Sequence, residues 1–128
     1  MFVVDASVVV HALIDDDGGD ASDLIISGDT VAPFIVDLEV LNSLRKGVRI
    51  GMISEAIARE AFADFHTFPI QRYRHEMLLS RIWQLRQNIT PYDAAYVALA
   101  EHLSVPLLTR DLRLYRSASH TATIQYID

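Results

Sequence analysis

The chain has 128 residues, 51% of them hydrophobic, which predicts one domain spanning residues 1–128 with a real core and is too many for a disordered chain. It contains no cysteine, which excludes a disulfide framework, a thiolate metal site and a cysteine nucleophile. The formal net charge of −6 argues against a generic nucleic-acid binder.

In chain order, Phe2, Val3 and Val4 form an unbroken apolar run, as in a strand buried on both faces. Asp5 follows, and Ser7 is placed to cap a helix over Val8 to Ile14. Asp15 to Asp20, with three acids in a row and two glycines, reads as a solvated turn; its spacing does not fit a Ca²⁺ loop. Asp20 or Ser22 can start a helix through Ile26, stopped at Ser27-Gly28-Asp29. Thr30 to Ala32 is a short strand, and Pro33 suits the first turn of the helix that carries Ile35, Val36, Leu38, Val40, Leu41, Leu44 and Val48. Ser54 opens a helix with an apolar face of Ile57, Ala58, Ala61, Phe62 and Phe65. Phe68 to Tyr73 reads as an edge strand, since Pro69 is hard to place centrally. Met77, Leu78, Ile82, Trp83 and Leu85 stripe a further helix. Thr90-Pro91-Tyr92-Asp93 is a helix start, with Thr as cap, Pro first and an acid third. Its small-residue body, Ala94 to Ala100, suits close packing on a sheet. An apolar strand over Val105 to Thr109, a turn over Leu112 to Arg116 and a last strand over Thr123 to Ile127 complete the chain.

Strands alternating with helices predict an α/β fold, with a parallel sheet between helical layers. No apolar run reaches membrane-spanning length, and the first strand starts without a basic leader, so a cytoplasmic protein is expected.

Nine of the 17 acids lie at or before Glu39, whereas all 11 basic residues, ten of them arginine, lie from Arg45 onward. Four acids stand apart. Asp5 and Asp111 follow apolar strands, Glu39 lies in the helix after the second strand, and Asp93 is in the first turn of a helix. In open α/β sheets the carboxyl edge of the strands is where ligands bind, and an acid there is either a cap or part of a site. The five histidines show no metal-binding spacing, and Trp83 and the tyrosines suit core or interface positions better than base stacking.

The segments Val3-Val4-Asp5-Ala6-Ser7, Leu38-Glu39-Val40-Leu41-Asn42-Ser43-Leu44, Thr90-Pro91-Tyr92-Asp93 through Ala100, and Leu107-Leu108-Thr109-Arg110-Asp111 together resemble the PIN-domain ribonucleases, and among them the VapC-type toxins of bacterial toxin–antitoxin pairs. The resemblance implies a three-layer α/β/α PIN domain with a five-stranded parallel sheet in the order 3-2-1-4-5. It implies an endoribonuclease, a cognate antitoxin and a homodimer, with Asp5, Glu39, Asp93 and Asp111 converging on Mg²⁺ or Mn²⁺. The chemistry agrees: clustered carboxylates repel unless they are protonated or bind cations, and oxygen-only donors select hard ions. Such an ion activates water for in-line attack on phosphorus and steadies the leaving oxygen. Ser7 and Thr109 can orient that chemistry or serve only as cap and strand end; Asn42 can steady Glu39 or be solvated. Arg45, Arg110 and Arg113 are candidates for RNA phosphate contacts. Two divalent ions would bring the net charge from −6 to about −2, so acidity does not exclude RNA. The competing expectation is a non-cleaving PIN-like scaffold that binds RNA or protein.

Overall fold

The computed structural model describes residues 1–15 and 19–128, so the centre of the expected turn over Asp15 to Asp20 lies outside the described residues. The strands are β1 (Phe2–Val4), β2 (Thr30–Pro33), β3 (Gln71–Tyr73), β4 (Leu107–Thr109) and β5 (Ile124–Tyr126). They form one sheet in the order β3-β2-β1-β4-β5, and every neighbouring pair is parallel. β1 is central: Val3 pairs with Val31 on one side and Leu107 on the other, which is why Val3 and Val4 are wholly buried and the run carries no polar alternation.

The helices are α1 (Ala6–Ile14), α2 (Asp20–Ile26), α3 (Ile35–Arg49), α4 (Glu55–Phe65), α5 (Leu79–Gln84), α6 (Pro91–Leu103) and α7 (Leu112–Tyr115), with a 3₁₀ turn over Glu76–Leu78. α1 packs against α2, α3 and α4, whereas α6 packs against α5 and lies along β1, β2 and β4. From β1 the chain steps outward to β2 and β3, then crosses back to β4. With right-handed crossovers, that reversal sends α5 and α6 to the opposite face and opens a crevice at the carboxyl ends of β1 and β4. The small residues Ala94, Ala95, Ala98 and Ala100 are all buried, so α6 lies directly on the sheet.

Several expectations shift. Asp5, not Ser7, caps α1: its carboxylate accepts from the Val8 amide, and the helix starts one residue earlier, at Ala6. Pro33 ends β2 and leaves α3 to begin at Ile35, since a proline needs no ladder donor at a strand terminus. Gly19 takes the cap position of α2. Gly28 and Gly51 adopt the left-handed backbone that closes α2 and α3, with φ of 81° and 77°. Two expected apolar stripes are only half covered. On α4, Ala61 and Phe65 are buried but Ile57 and Phe62 are exposed; in the next helical region, Leu78, Ile82 and Leu85 are buried but Met77 and Trp83 are exposed. The two α5–α6 and α3–α4 layers are each one helix thick at these points, so only one side of each stripe meets the core.

Candidate active site

Asp5 directly follows β1 and Thr109 ends β4, and these strands lie side by side in the sheet, which brings residues 104 positions apart into contact. Asp5 is 6% exposed, and both carboxylate oxygens are engaged. Oδ1 accepts from the Ser7 hydroxyl at 2.5 Å and from the Val8 amide at 3.2 Å; Oδ2 accepts from the Thr109 hydroxyl at 2.5 Å. Ser7 and Thr109 are in turn fixed by the loop after β4: the Arg110 amide donates to Ser7 Oγ at 2.9 Å and the Asp111 amide to Thr109 Oγ1 at 3.0 Å. Burial pushes the Asp5 carboxyl up to about 6; the three hydrogen bonds pull it back, and the Asp111 charge adds to the rise.

Asp111 caps α7, accepting from the Arg113 and Leu114 amides. Asp93 sits at the third position of α6, whose cap Thr90 accepts from the Asp93 amide at 3.2 Å. Because α6 leads back to β4, its first turn lies at the same edge as the ends of β1 and β4. Burial raises the Asp93 carboxyl, Arg113 lowers it, and Asp111 raises it again. Arg113, 76% exposed, places one nitrogen 3.4 Å from Asp93 and 3.5 Å from Asp111, spanning the two.

Glu39 is half-buried in the second turn of α3 and accepts from the Tyr96 hydroxyl at 2.6 Å. Its carboxyl is raised, chiefly by burial, lowered by Tyr96 and raised again by Asp93. Tyr96 is the group sequence reasoning misplaced among generic core aromatics. It lies one turn after Asp93 on α6, its ring is buried, and Glu39, Asp5 and Asp93 all hold its hydroxyl protonated. The available signal was a tyrosine three positions after an acid, on the same helix face, set within the run of small residues Ala94 to Ala100.

The four acids therefore share one electrostatic neighbourhood, linked Asp5 to Asp111, Asp111 to Asp93 and Asp93 to Glu39. Among the described residues, no three histidine, aspartate or glutamate side chains form a cage for one ion. An oxygen-only set of carboxylates fits a hard cation, which takes one or two carboxylates and fills its shell with water and substrate oxygens. Of the other candidates, Asn42 is exposed on α3. Arg45 lines a separate groove between α3 and α4. Arg110 is half-buried and points its guanidinium at His11 Nδ1, 2.8 Å away, rather than into the crevice.

The PIN domain family matches residues 2–119. The chain is 40% identical over 114 residues to "VapC ribonuclease Mb0985" of Mycobacterium bovis, covering 89% of this chain and 88% of that one. It is 45% identical over 118 residues to "Ribonuclease VapC1" of Mycobacterium tuberculosis, covering 88% and 86%. The fold matches the crystal structure of VapBC2 from Rickettsia felis bound to a DNA fragment from their promoter, with a TM-score of 0.70 at 12% identity, over 99% of this chain and 98% of that one. The chain belongs to the PIN-domain family and, within it, to the VapC type.

Proposed function

For this PIN-domain chain we propose an endoribonuclease that hydrolyses RNA phosphodiester bonds at the crevice formed by Asp5, Glu39, Asp93 and Asp111. The observation that carries it is three half-buried or buried carboxyls, Asp5, Glu39 and Asp93, all raised and all coupled to a neighbouring acid. Such excess negative charge at a sheet edge is stabilised by a cation. Asp5, Glu39, Asp93 and Asp111 would hold Mg²⁺ or Mn²⁺, which supplies Lewis-acid activation of water and neutralises charge at the phosphate. The chain's own groups do the rest. Ser7 and Thr109 hold Asp5 in one rotamer. Tyr96 fixes Glu39, and its hydroxyl, kept protonated, is a donor that never competes as an anion. Arg113 balances Asp93 and Asp111 and can turn to a phosphate oxygen when a cation takes its place.

The ribonuclease names of the relatives support RNA as the substrate, and the VapBC2 structure supports an antitoxin as partner. That partner would present a basic side chain to Asp5, Asp93 and Asp111; a guanidinium already spans two of these acids. A homodimer would use α3 and α4, where Leu38, Leu41, Ile57 and Phe62 are exposed. Among the described residues no helix is long and apolar enough to cross a membrane. The test is cleavage of total RNA by purified protein in Mg²⁺, in Mn²⁺ and in EDTA. Cutting that EDTA stops is expected; RNA binding without cutting in either metal would favour the scaffold.

A further inference from the structure

Beside the acidic crevice lies a groove of about 950 Å³, running from the α5–α6 connection to α7. One end is Asp93. The walls carry Arg86, Arg113 and Arg116, against that single acid. Arg113 leans on the acids, but the Arg116 side chain has no partner among the described residues. Arg86 is held differently. It donates to the Trp83 carbonyl at 2.9 Å and lays its guanidinium 4.2 Å from the Trp83 ring centroid. Trp83 itself is 66% exposed and is the chain's only tryptophan. A large exposed indole, stacked by an arginine that itself lines the groove, has no role in the core.

We propose that this groove binds a single-stranded RNA segment flanking the cut site, with an unpaired base stacked on Trp83 and adjoining phosphates on Arg86 and Arg116. The inference rests on the reading that the chain acts on RNA, and adds which side chains hold the strand beside the cut and on which side of the crevice it lies. Stacking tolerates any base, and arginines along a groove track a flexible backbone, a pairing that suits single strands. A duplex hides its base faces and gains only the phosphate contacts. Arg113 stands at the junction, one side toward Asp93 and Asp111 and the other lining the groove, so the strand would pass from stacking platform to acidic crevice across it.

Since Trp83 is the sole tryptophan, its fluorescence reports the platform directly. The protein is titrated in EDTA with a fluorescein-labelled oligouridylate, following label anisotropy and tryptophan emission together, and cleavage is assayed separately in Mg²⁺. Quenching that tracks anisotropy is expected. Trp83→Ala should weaken single-strand binding about tenfold. Arg86→Ala with Arg116→Ala should lower the slope of log affinity against log salt by about 1.4, at about 0.7 per lost phosphate contact. Duplex RNA should bind with little quenching. Binding with unchanged tryptophan emission, or a double variant that binds as tightly with the same salt slope, overturns the groove even if the protein cuts RNA. Quenching without cleavage in Mg²⁺ upholds the groove and removes the nuclease. Quenching by polyglutamate but not by oligouridylate overturns it in favour of an acidic protein segment.

Discussion

Asp5 and Asp93 are the same residue at the same sheet edge, yet they stand in opposite physical conditions. Asp5 is sealed at the end of the central strand, and each of its oxygens receives a hydroxyl from a different element. Asp93 lies at a helix start, partly open, and its nearest counter-charge is an arginine that is mostly in water. The first is fixed by the fold and dominated by desolvation; the second is held by screened electrostatics and can be rearranged by any competing cation. The crevice thus pairs one rigid carboxylate with one adaptable one.

The largest expected effect breaks the comparison on the adaptable side. Asp93→Asn should cut RNA cleavage at least about a hundredfold, as loss of a metal-site group does. In EDTA the same variant should melt a few degrees higher, since it removes a partly buried like charge while keeping the Thr90 cap. A lower melting temperature in EDTA, together with an unchanged response to Mg²⁺, would reduce Asp93 to a helix-start acid.

On the rigid side, Thr109→Val keeps shape but removes a donor to a buried carboxylate and an acceptor for the Asp111 amide. A cost of about 1–3 kcal/mol is expected, read as a lower midpoint in urea unfolding. Little change would mean that water replaces the hydroxyl and that Asp5 is less sealed than its burial indicates.

Proton binding sharpens the contrast. Asp5 has a folded pKa of about 6, above its ordinary 3.8. A raised carboxyl favours folding in its protonated form, so its contribution is fully present below the unfolded value and is lost as pH rises through about 6. In EDTA, stability should therefore increase by about 1.4 kcal/mol between pH 7.5 and pH 5. The acids with lowered pKa, Glu76 and Glu101, both near 2, keep their contributions above their unfolded values and lose them only at lower pH, so they do not mask this window. A flat pH profile in EDTA would show that the crevice is wetter than drawn. Saturating Mg²⁺ should reverse the slope, because protons and metal compete for the same oxygens.

The smallest effect comes from Arg113→Ala. An exposed arginine contributes less than about 0.5 kcal/mol to stability. The Asp93 carboxyl should nonetheless titrate higher, since Arg113 is what lowers it. Carbonyl-region NMR of Asp93 measures this; an unchanged titration would mean that Arg113 does not rest on the acids in solution.

The four candidate acids were legible only through the resemblance of the segments that carry them; the amino-acid sequence by itself determined the alternation of elements, the parallel sheet, the edge position of β3 and the Thr90-Pro91 start of α6. These follow from short-range physics: apolar runs without alternation, capping side chains, and glycines where the backbone turns left-handed. Only tertiary structure decided that Asp5 rather than Ser7 caps α1, because the choice depends on Thr109 and Arg110 arriving from β4 to claim Asp5 and the Ser7 hydroxyl. It also decided which member of each apolar stripe is covered. Periodicity assigns a residue to a helix face, but whether Phe65 is buried and Trp83 left in water depends on how many elements lie across from that face. Tyr96 reaches the acids for the same reason: its partner Glu39 comes from another element of the fold, and no local pattern records a contact across 57 residues. Arg113 meets Asp93 on another helix in the same way, whereas Asp111 is the cap of its own helix.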